Sequence, residues 1–143
     1  MSVELPFAPV DTIIRRNAGG LRVSADAAEE LARRIQSRGA DLAVDAAARA
    51  DADGRKTIMA EDFDAGSPPD REDLELPVAP VDRIARLDID DRFRVGMDAR
   101  IALAGLLEEF ADAAAAGAAV LAEHADRRTI QAEDVATYVE LVG

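Results

Sequence analysis

Few side chains in this sequence are of the types that carry out catalysis or bind a metal ion. The chain contains no Cys, and His124 is its only His. These counts exclude disulfides and thiol chemistry, and they leave no thiolate ligands for zinc. No nucleophile is paired with a base, and there is no glycine-rich loop of the kind that cradles phosphate. We therefore expect no enzyme activity, no cofactor and no metal site.

The side chains that remain for a binding role are arginines and threonines in matching polar segments. "RVS" begins at Arg22 and "RVG" at Arg94, while "RKTIMAED" and "RRTIQAED" contain Thr57 and Thr129. Taken alone, an arginine in a polar loop is most often only solvated, and each threonine could be a turn or capping residue. The chain carries 17 basic and 29 acidic residues, for a net charge of −12. Because nucleic-acid binders usually carry the opposite sign, composition alone argues against DNA.

These segments belong to a repeat that covers most of the chain. "ELPFAPVD" begins at Glu4 and "ELPVAPVD" at Glu75, and the two later pairs of matching blocks follow in the same order after one inserted residue. Three matched blocks in one order indicate a tandem duplication. "GSPPDRED", between the copies, has no hydrophobic pattern and is typical of a linker. We expect one domain over residues 1–66, a linker over 67–74 and a second domain over 75–143.

Each copy is predicted to form a short helix, a loop, a long helix, a loop and a short helix. In the first copy Ser24 can cap the long helix, which continues to about Ala52. A rod of about 28 residues is roughly 42 Å long. It cannot cover its own apolar stripe, so we expect the two copies to pair within the chain in an all-α fold. The predicted stripes are Leu31, Ile35, Leu42 and Ala46 in one rod and Leu103, Leu107, Phe110 and Ala114 in the other.

No targeting or membrane-spanning segment is predicted. The first residues lack a basic region followed by an apolar run, and no segment approaches 18 consecutive apolar residues. The expectation is a soluble, intracellular protein.

Together, the motifs "ELPxAPVDxI", "RVS" at the start of a long helix and "RKTIxAED" resemble those of archaeal histones. The resemblance covers nearly the whole chain twice, and it is greatest to the fused, acidic doublet histones of haloarchaea. Lys56 is the only lysine, and the abundant Asp resembles the composition of halophilic proteins. The resemblance implies two tandem histone folds paired as a handshake pseudo-dimer and adapted to high salt.

The resemblance also implies residues that contact double-stranded DNA. Arg22 with Thr129 would form one DNA-contacting end, and Arg94 with Thr57 the other, so that the two arginines contribute about equally. Each arginine would enter the minor groove without base-specific contacts, as nucleosomal arginines do. Arg100, on the exterior of the long helix, should matter less. The full set of expected DNA-binding residues is Arg15, Arg22, Lys56, Thr57, Arg83, Arg86, Arg94, Arg128 and Thr129.

Other residues are expected to have structural or assembly roles. The family pattern pairs Arg55 with Asp62 and Arg127 with Asp134, which ties the second loop of each copy to its third helix. Leu121, His124 and Asp134 match a face that joins one histone pair to the next, so two chains could form a dimer through their second halves. The first half has Arg49 and Ala52 at the corresponding positions and a shorter third helix.

Two functions remain open from the sequence. The resemblance favours an architectural protein that bends or wraps DNA and is associated with the chromosome in the cytoplasm. The net charge of −12 favours the alternative, a histone-fold scaffold or transcription regulator with weak or no direct DNA binding. Thr12, which takes the place of a first-helix arginine that the second half keeps as Arg83, favours the same alternative.

Overall fold

The computed structural model describes residues 2–143, in which five α-helices are joined by loops, two 3-10 turns and four very short strands. The helices are α1 (Phe7–Arg16), α2 (Ala25–Ala52), α3 (Val78–Ala85), α4 (Met97–His124) and α5 (Ala132–Val142). The strands are β1 (Arg22–Val23), β2 (Thr57–Ile58), β3 (Arg94–Val95) and β4 (Thr129–Ile130). The 3-10 turns are Ala60–Phe63 and Arg71–Asp73.

The two short helices, α1 and α3, begin alike. Pro6 precedes α1 and Pro77 precedes α3, each in an extended conformation that suits the residue before a helix. In α1 the buried residues Val10, Ile13 and Ile14 recur at helical spacing and form the face that packs inward. The last turn of α1 carries two arginines, which interact favourably with the negative end of the helix dipole.

The long helices α2 and α4 have 28 residues each, so both extend for about 42 Å. The Ser24 hydroxyl caps α2 by accepting a hydrogen bond from the Ala27 N–H at 3.3 Å, as the sequence predicts. The equivalent residue of α4 is Gly96, which provides no side-chain cap. At the start of α4, the Asp98 carboxylate instead accepts a hydrogen bond from the Ala99 N–H at 2.8 Å.

Gly39 lies near the middle of α2, where that helix packs against the second half of the chain. A Cβ atom built on Gly39 would lie 2.6 Å from Ile84 Cγ2 and 3.0 Å from Leu107 Cδ1. The absence of a side chain lets α3 and α4 approach the α2 backbone here.

One hydrophobic core extends through both halves. Leu31 and Ile35 of α2 are fully buried with Leu103 and Leu107 of α4 in a single cluster. Alanines supply much of the remaining contact between the long helices, which keeps their backbones close. Two residues of the predicted stripes, Leu42 and Phe110, are only half-buried, because they lie at the edge of a surface groove.

The two halves are also joined by two pairs of parallel strands, which the sequence analysis did not predict. β1 pairs with β4, and β2 pairs with β3, so each pair takes one strand from each half. In one pair the Ser24 N–H donates to the Ile130 carbonyl at 3.1 Å, and in the other the Gly96 N–H donates to the Ile58 carbonyl at 3.0 Å.

On each long helix, a polar residue at the same position of the repeat forms hydrogen bonds with the extended segment that precedes a short helix. The Gln36 side chain accepts a hydrogen bond from the Glu4 N–H at 2.8 Å and donates one to the Ser2 carbonyl. The Glu108 carboxylate accepts hydrogen bonds from the N–H groups of Glu75 and Leu76 at 2.7 and 3.0 Å. A buried polar residue on each rod therefore positions the start of α1 or α3.

A charged cluster next to Glu108 exists on one side of the molecule only. Arg16 donates to Glu108 at 3.1 Å and to Asp112 at 2.7 Å, and the Asn17 amide donates to Asp112 at 2.8 Å. The pKa of Asp112 is lowered: burial acts to raise it, but these hydrogen bonds outweigh burial. The residue at the position equivalent to Arg16 is Leu87, which is largely exposed.

The two halves differ most in the last helical element of each half. In the first half this element is the single turn Ala60–Phe63, whereas in the second it is the 11-residue α5. The chain after the first turn passes along α4, where Pro69 contacts the backbone at Gly105. A Cβ atom on Gly105 would lie 2.9 Å from Pro69 Cδ.

Candidate nucleic-acid interface

The strand pair β1–β4 brings together the residues predicted for one end of the interface. Arg22 and Thr129 are direct partners in the parallel register, and the Arg22 N–H donates to the Arg128 carbonyl at 2.8 Å. The side chains of Arg22 and Arg128 are exposed, and Thr129 is half-buried. We call the group Arg22, Arg128 and Thr129 the first loop end.

The strand pair β2–β3 forms the equivalent group at the other end. Thr57 and Arg94 are register partners, and the Arg94 N–H donates to the Lys56 carbonyl at 2.8 Å. Arg94 and Lys56 are exposed. We call Lys56, Thr57 and Arg94 the second loop end. Each loop end therefore contains a hydroxyl and two exposed cations held by backbone hydrogen bonds.

The cations of the loop ends are unusual in this acidic protein because they have no carboxylate partner. Within residues 2–143, Arg22, Lys56, Arg94 and Arg128 form no ion pair, although most other arginines do. The ion-paired arginines are Arg15, Arg16, Arg33, Arg34, Arg55, Arg83, Arg86, Arg92, Arg100 and Arg127. The free positive charge at each loop end can therefore pair with an anion without first breaking an internal contact.

Arg55 and Asp62 fix the second loop end from within the first half. Arg55 donates to both carboxylate oxygens of Asp62 at 2.9 and 2.8 Å and to the Thr57 carbonyl at 3.0 Å. The pKa of Asp62 is lowered, chiefly by the hydrogen bonds from Arg55 and also by the Met59 N–H, against the opposing effect of burial. This pair holds the backbone of Thr57, so its role is to position the loop.

Arg127 and Asp134 make the same arrangement beneath the first loop end. Arg127 donates to Asp134 at 2.7 Å and to the Thr129 carbonyl at 3.3 Å, and the Gln131 N–H donates to Asp134 at 2.8 Å. Burial acts to raise the pKa of Asp134, but the hydrogen bonds from Arg127 and Gln131 outweigh burial and lower the pKa. The neighbouring cation, Arg128, is left exposed.

The three arginines predicted on the short helices are exposed but engaged with carboxylates. Arg83 pairs with Glu4 at 2.9 Å. Arg15 pairs with Asp11 at 2.7 Å and Arg86 with Asp82 at 3.1 Å, each one helical turn apart. These contacts partly neutralise the cations, so this surface offers less free positive charge than the loop ends. None of the three carboxylate partners was predicted from the sequence.

Arg100 differs from its expected position on the helix exterior. It is half-buried, donates to the Val95 carbonyl at 3.2 Å and pairs with Asp82 at 3.1 Å. The equivalent of Arg100 in the first half is Ala28, which is buried. One carboxylate oxygen of Asp11, the equivalent of Asp82, is buried without a hydrogen-bond partner, because the first half has no arginine to reach it.

The residues predicted for assembly lie near a groove in the second half. Leu121 and Asp134 line this groove, which has a volume of about 330 Å³, together with Ala125, Glu133 and Thr137. His124 is exposed at the end of α4. Asp134 is only 2 % exposed, and both of its oxygens already accept hydrogen bonds within the chain.

The equivalent surface of the first half has a different structure. Arg49, at the position of Leu121, donates to the Asp62 carbonyl at 2.6 Å and so lies against the single 3-10 turn. Ala52, at the position of His124, is exposed. The two halves therefore present different faces at the ends of their long helices.

Two short helices packed on two long ones, with loops joined in parallel pairs, define the class of the protein as a histone fold. A sequence model described as "Histone-like transcription factor (CBF/NF-Y) and archaeal histone" matches residues 3–65 and again residues 74–139, and the chain belongs to this family. The archaeal histone HAN1 of Thermococcus zilligii is 48 % identical over 61 residues, which are 43 % of this chain and 88 % of that protein.

Two solved structures resemble the whole chain. The histone from Methanopyrus kandleri superposes with a TM-score of 0.68 at 29 % identity, covering 92 % of this chain and 90 % of that one. A protein of Thermus thermophilus superposes with a TM-score of 0.71 and 97 % coverage of both chains. At 21 % identity this second likeness concerns the fold alone.

Two further features of residues 2–143 bear on the class of function. No helix in this range is both long enough and apolar enough to cross a membrane. The same residues contain no cluster of three or more His, Asp or Glu side chains arranged to hold a metal ion. The histone-fold family consists of proteins that normally are not enzymes.

Proposed function

We propose that this protein is an architectural histone that binds double-stranded DNA through its two loop ends and bends or wraps it. In this proposal residues 1–66 and 75–143 form two histone folds, joined by the linker 67–74 and paired as a handshake pseudo-dimer. Two observations support the pairing: the core is continuous between α2 and α4, and each strand pair takes one strand from each half. The protein would act on the chromosome, in the cytoplasm.

The observation that carries the proposal is the unpaired charge at both loop ends. In a chain with a net charge of −12, these exposed cations are available to bind an anion because no carboxylate among residues 2–143 neutralises them. They occur beside threonine hydroxyls and on rigid backbone pairs. Two such groups in one protein suit a ligand that carries many phosphates.

Sequence-specific recognition is not part of this proposal. Each loop end offers one hydroxyl and two cations on or beside a pair of two-residue strands, too little surface to recognise the pattern of several base edges. Arginine in a narrow minor groove recognises shape and deformability instead. We expect a weak preference for easily bent duplexes.

The proposal is tested by titrating a mixed-sequence duplex at fixed salt with the parent protein and single variants. Arg22→Ala should weaken binding, because it removes one unpaired cation from a loop end. Arg71→Ala is the matched control, since Arg71 is an exposed linker arginine that also forms no ion pair within residues 2–143. Equal losses from the two variants would mean that only bulk charge matters.

A second function is favoured by the carboxylates that neutralise the short-helix arginines. If Arg15, Arg83 and Arg86 stay paired with acids, the surface between the loop ends attracts DNA weakly. The protein would then be a histone-fold scaffold or transcription regulator that contacts other proteins. A parent protein without detectable DNA binding across the salt range would favour this alternative.

A further inference from the structure

The two loop ends differ in the residues that come immediately before their arginine. "AGGL" precedes Arg22, whereas "IDDRF" precedes Arg94. At the offset of the first repeat block, two glycines of the first half correspond to Asp90 and Asp91. One loop end is therefore flanked by residues without side chains, and the other by two carboxylates.

The side of the first loop end that is flanked by glycine is open and uncharged. Gly19 and Gly20 are exposed, and apart from their chain neighbours no described residue has an atom within 4 Å of the positions that their Cβ atoms would occupy. Gly19 has a φ of +61°, which glycine adopts without strain. Neither glycine therefore places a side chain or a charge beside Arg22 that an approaching DNA backbone would meet.

At the second loop end, a tight turn holds the two carboxylates near Arg94. The Phe93 N–H donates to the Asp90 carbonyl at 3.1 Å, and the Arg92 N–H donates to the Asp90 carboxylate at 2.9 Å. Asp91 is three residues from Arg94, and three residues extend for at most about 11 Å. The backbones of the turn and of Arg94 thus lie within about one Debye length at 0.1 M salt, which is close enough for the negative charge of the turn to act on phosphates near Arg94.

The turn contains a cation of its own, but that cation is engaged elsewhere. Arg92 pairs with Asp51 of α2 at 3.2 Å, and its guanidinium lies 4.9 Å from the centre of the Phe93 ring. Asp90 and Asp91 are exposed and form no ion pair within residues 2–143. Their charges therefore face solvent next to the second loop end.

We propose that Asp90 and Asp91 weaken the contact between the second loop end and DNA, so that the first loop end is the principal anchor. This inference rests on the DNA-binding function proposed above. Carboxylates beside a cation repel the phosphates that the cation attracts. Arg22 and Arg94, which the repeat alone would make equivalent, therefore contribute unequally.

The test compares Arg22→Ala and Arg94→Ala in two backgrounds, the parent and the double variant Asp90→Asn/Asp91→Asn. Binding to a mixed-sequence duplex is titrated at several salt concentrations. In the parent, Arg22→Ala should reduce the slope of log affinity against log salt by about one, and Arg94→Ala by less. In the double variant, affinity should rise and the two arginine substitutions should have equal effects.

Two further variants make the test specific for position. Glu72→Gln/Glu109→Gln removes the same number of exposed carboxylates near the linker and should raise affinity less than the loop variant does. Gly20→Asp adds an acid beside Arg22 without a steric clash and should weaken binding. If both arginines have equal effects in both backgrounds, this inference is wrong although the DNA-binding function stands. If no variant binds DNA, both are wrong.

Discussion

The loop that follows each long helix contains two adjacent basic residues, and the two have opposite roles. Arg55 turns inward to Asp62 while Lys56 stays exposed, and Arg127 and Arg128 divide in the same way. The inward residues Arg55 and Arg127 each donate hydrogen bonds to an aspartate and to the carbonyl of the threonine two residues on, which leaves Lys56 and Arg128 at the surface. Thus a "RK" or "RR" pair supplies one cation to stabilise the loop and one to its surface.

The buried carboxylates predict how stability depends on pH. The pKa values of Asp62 and Asp134 are lowered in the folded state from an ordinary value of 3.8. Their contribution to stability is therefore complete above about pH 4 and is lost as the pH falls through the folded-state values. We expect the free energy of unfolding, from denaturant titrations at a series of pH values, to fall steeply below pH 4.

Variants distinguish the contribution of these two carboxylates to pH-dependent stability from that of the remaining acids. Asp62→Asn/Asp134→Asn should lower stability at neutral pH by about 2–3 kcal/mol for each site, because each loses hydrogen bonds between charged groups. The stability of this double variant should also change less between pH 5 and pH 3 than the stability of the parent. Asp45→Asn, at an exposed position on α2, is the control and should retain the parental profile. An unchanged profile in the double variant would contradict the assignment.

Residue pairing was predictable only where the motifs resemble those of a known family. The partnership of Arg22 with Thr129 was expected from the resemblance to archaeal histones, not from the repeat itself. The contact between Arg83 and Glu4, 79 residues apart, depends instead on how the extended N-terminal segment lies across the other half. The asymmetric position of Arg100 likewise results from a substitution, Ala28 in the first half, that no periodicity reveals.

At the scale of the elements, the long helices depend on glycine at one crossing point. Gly39→Ala should destabilise the protein by about 1–2 kcal/mol, because overpacking at Ile84 exceeds the gain in helix propensity. Gly105→Ala is the control: its new methyl group would meet Pro69 of the exposed linker, which can move. We expect Gly105→Ala to be neutral or stabilising in thermal melts. A gain in stability for Gly39→Ala would show that α2 and α3 can separate at little cost.

The helices themselves were predictable, since their apolar spacing and caps are local properties. The start of α2 after Ser24 and its end at Ala52 agree with the sequence pattern. The strand pairs were not predictable, because two-residue strands have no periodicity of their own. They form only where tertiary contacts bring two loops side by side.

At the scale of the whole molecule, a shared core predicts that the two halves unfold together. Leu31→Asp buries an unpaired charge in the first half, yet it should abolish the helical signal of both halves. Circular dichroism and hydrogen exchange would follow the two halves. If residues 1–66 alone formed a monomeric, cooperatively folding domain, the pairing proposal would be wrong.

The acidic surface predicts that folding depends on salt. Repulsion among 29 carboxylates opposes the compact state in dilute buffer, and added salt screens it. The melting temperature should therefore rise with potassium chloride. A melting temperature that is constant from low to molar salt would exclude the proposed adaptation.

The C-terminal ends of α2 and α4 present different faces, so we expect assembly to stop at two chains. Only the second half combines Leu121, a neighbouring groove and a full third helix, and a patch used once gives a two-fold dimer. Leu121→Arg should abolish the larger species in light scattering with a long duplex. Val44→Arg, at an exposed apolar position in the first half, is the control and should preserve it. Filaments that persist in Leu121→Arg would mean that the first half also joins chains.

The one-sided cluster of Arg16, Glu108 and Asp112 has a consequence for how such a chain can evolve. In a dimer of identical subunits every mutation appears twice, and each new residue must be compatible with both copies of its surroundings. In a single chain that contains both halves a mutation appears once, so Leu87 and Ala40 can occupy the positions equivalent to Arg16 and Asp112. Each half can therefore acquire residues that the other half could not accommodate.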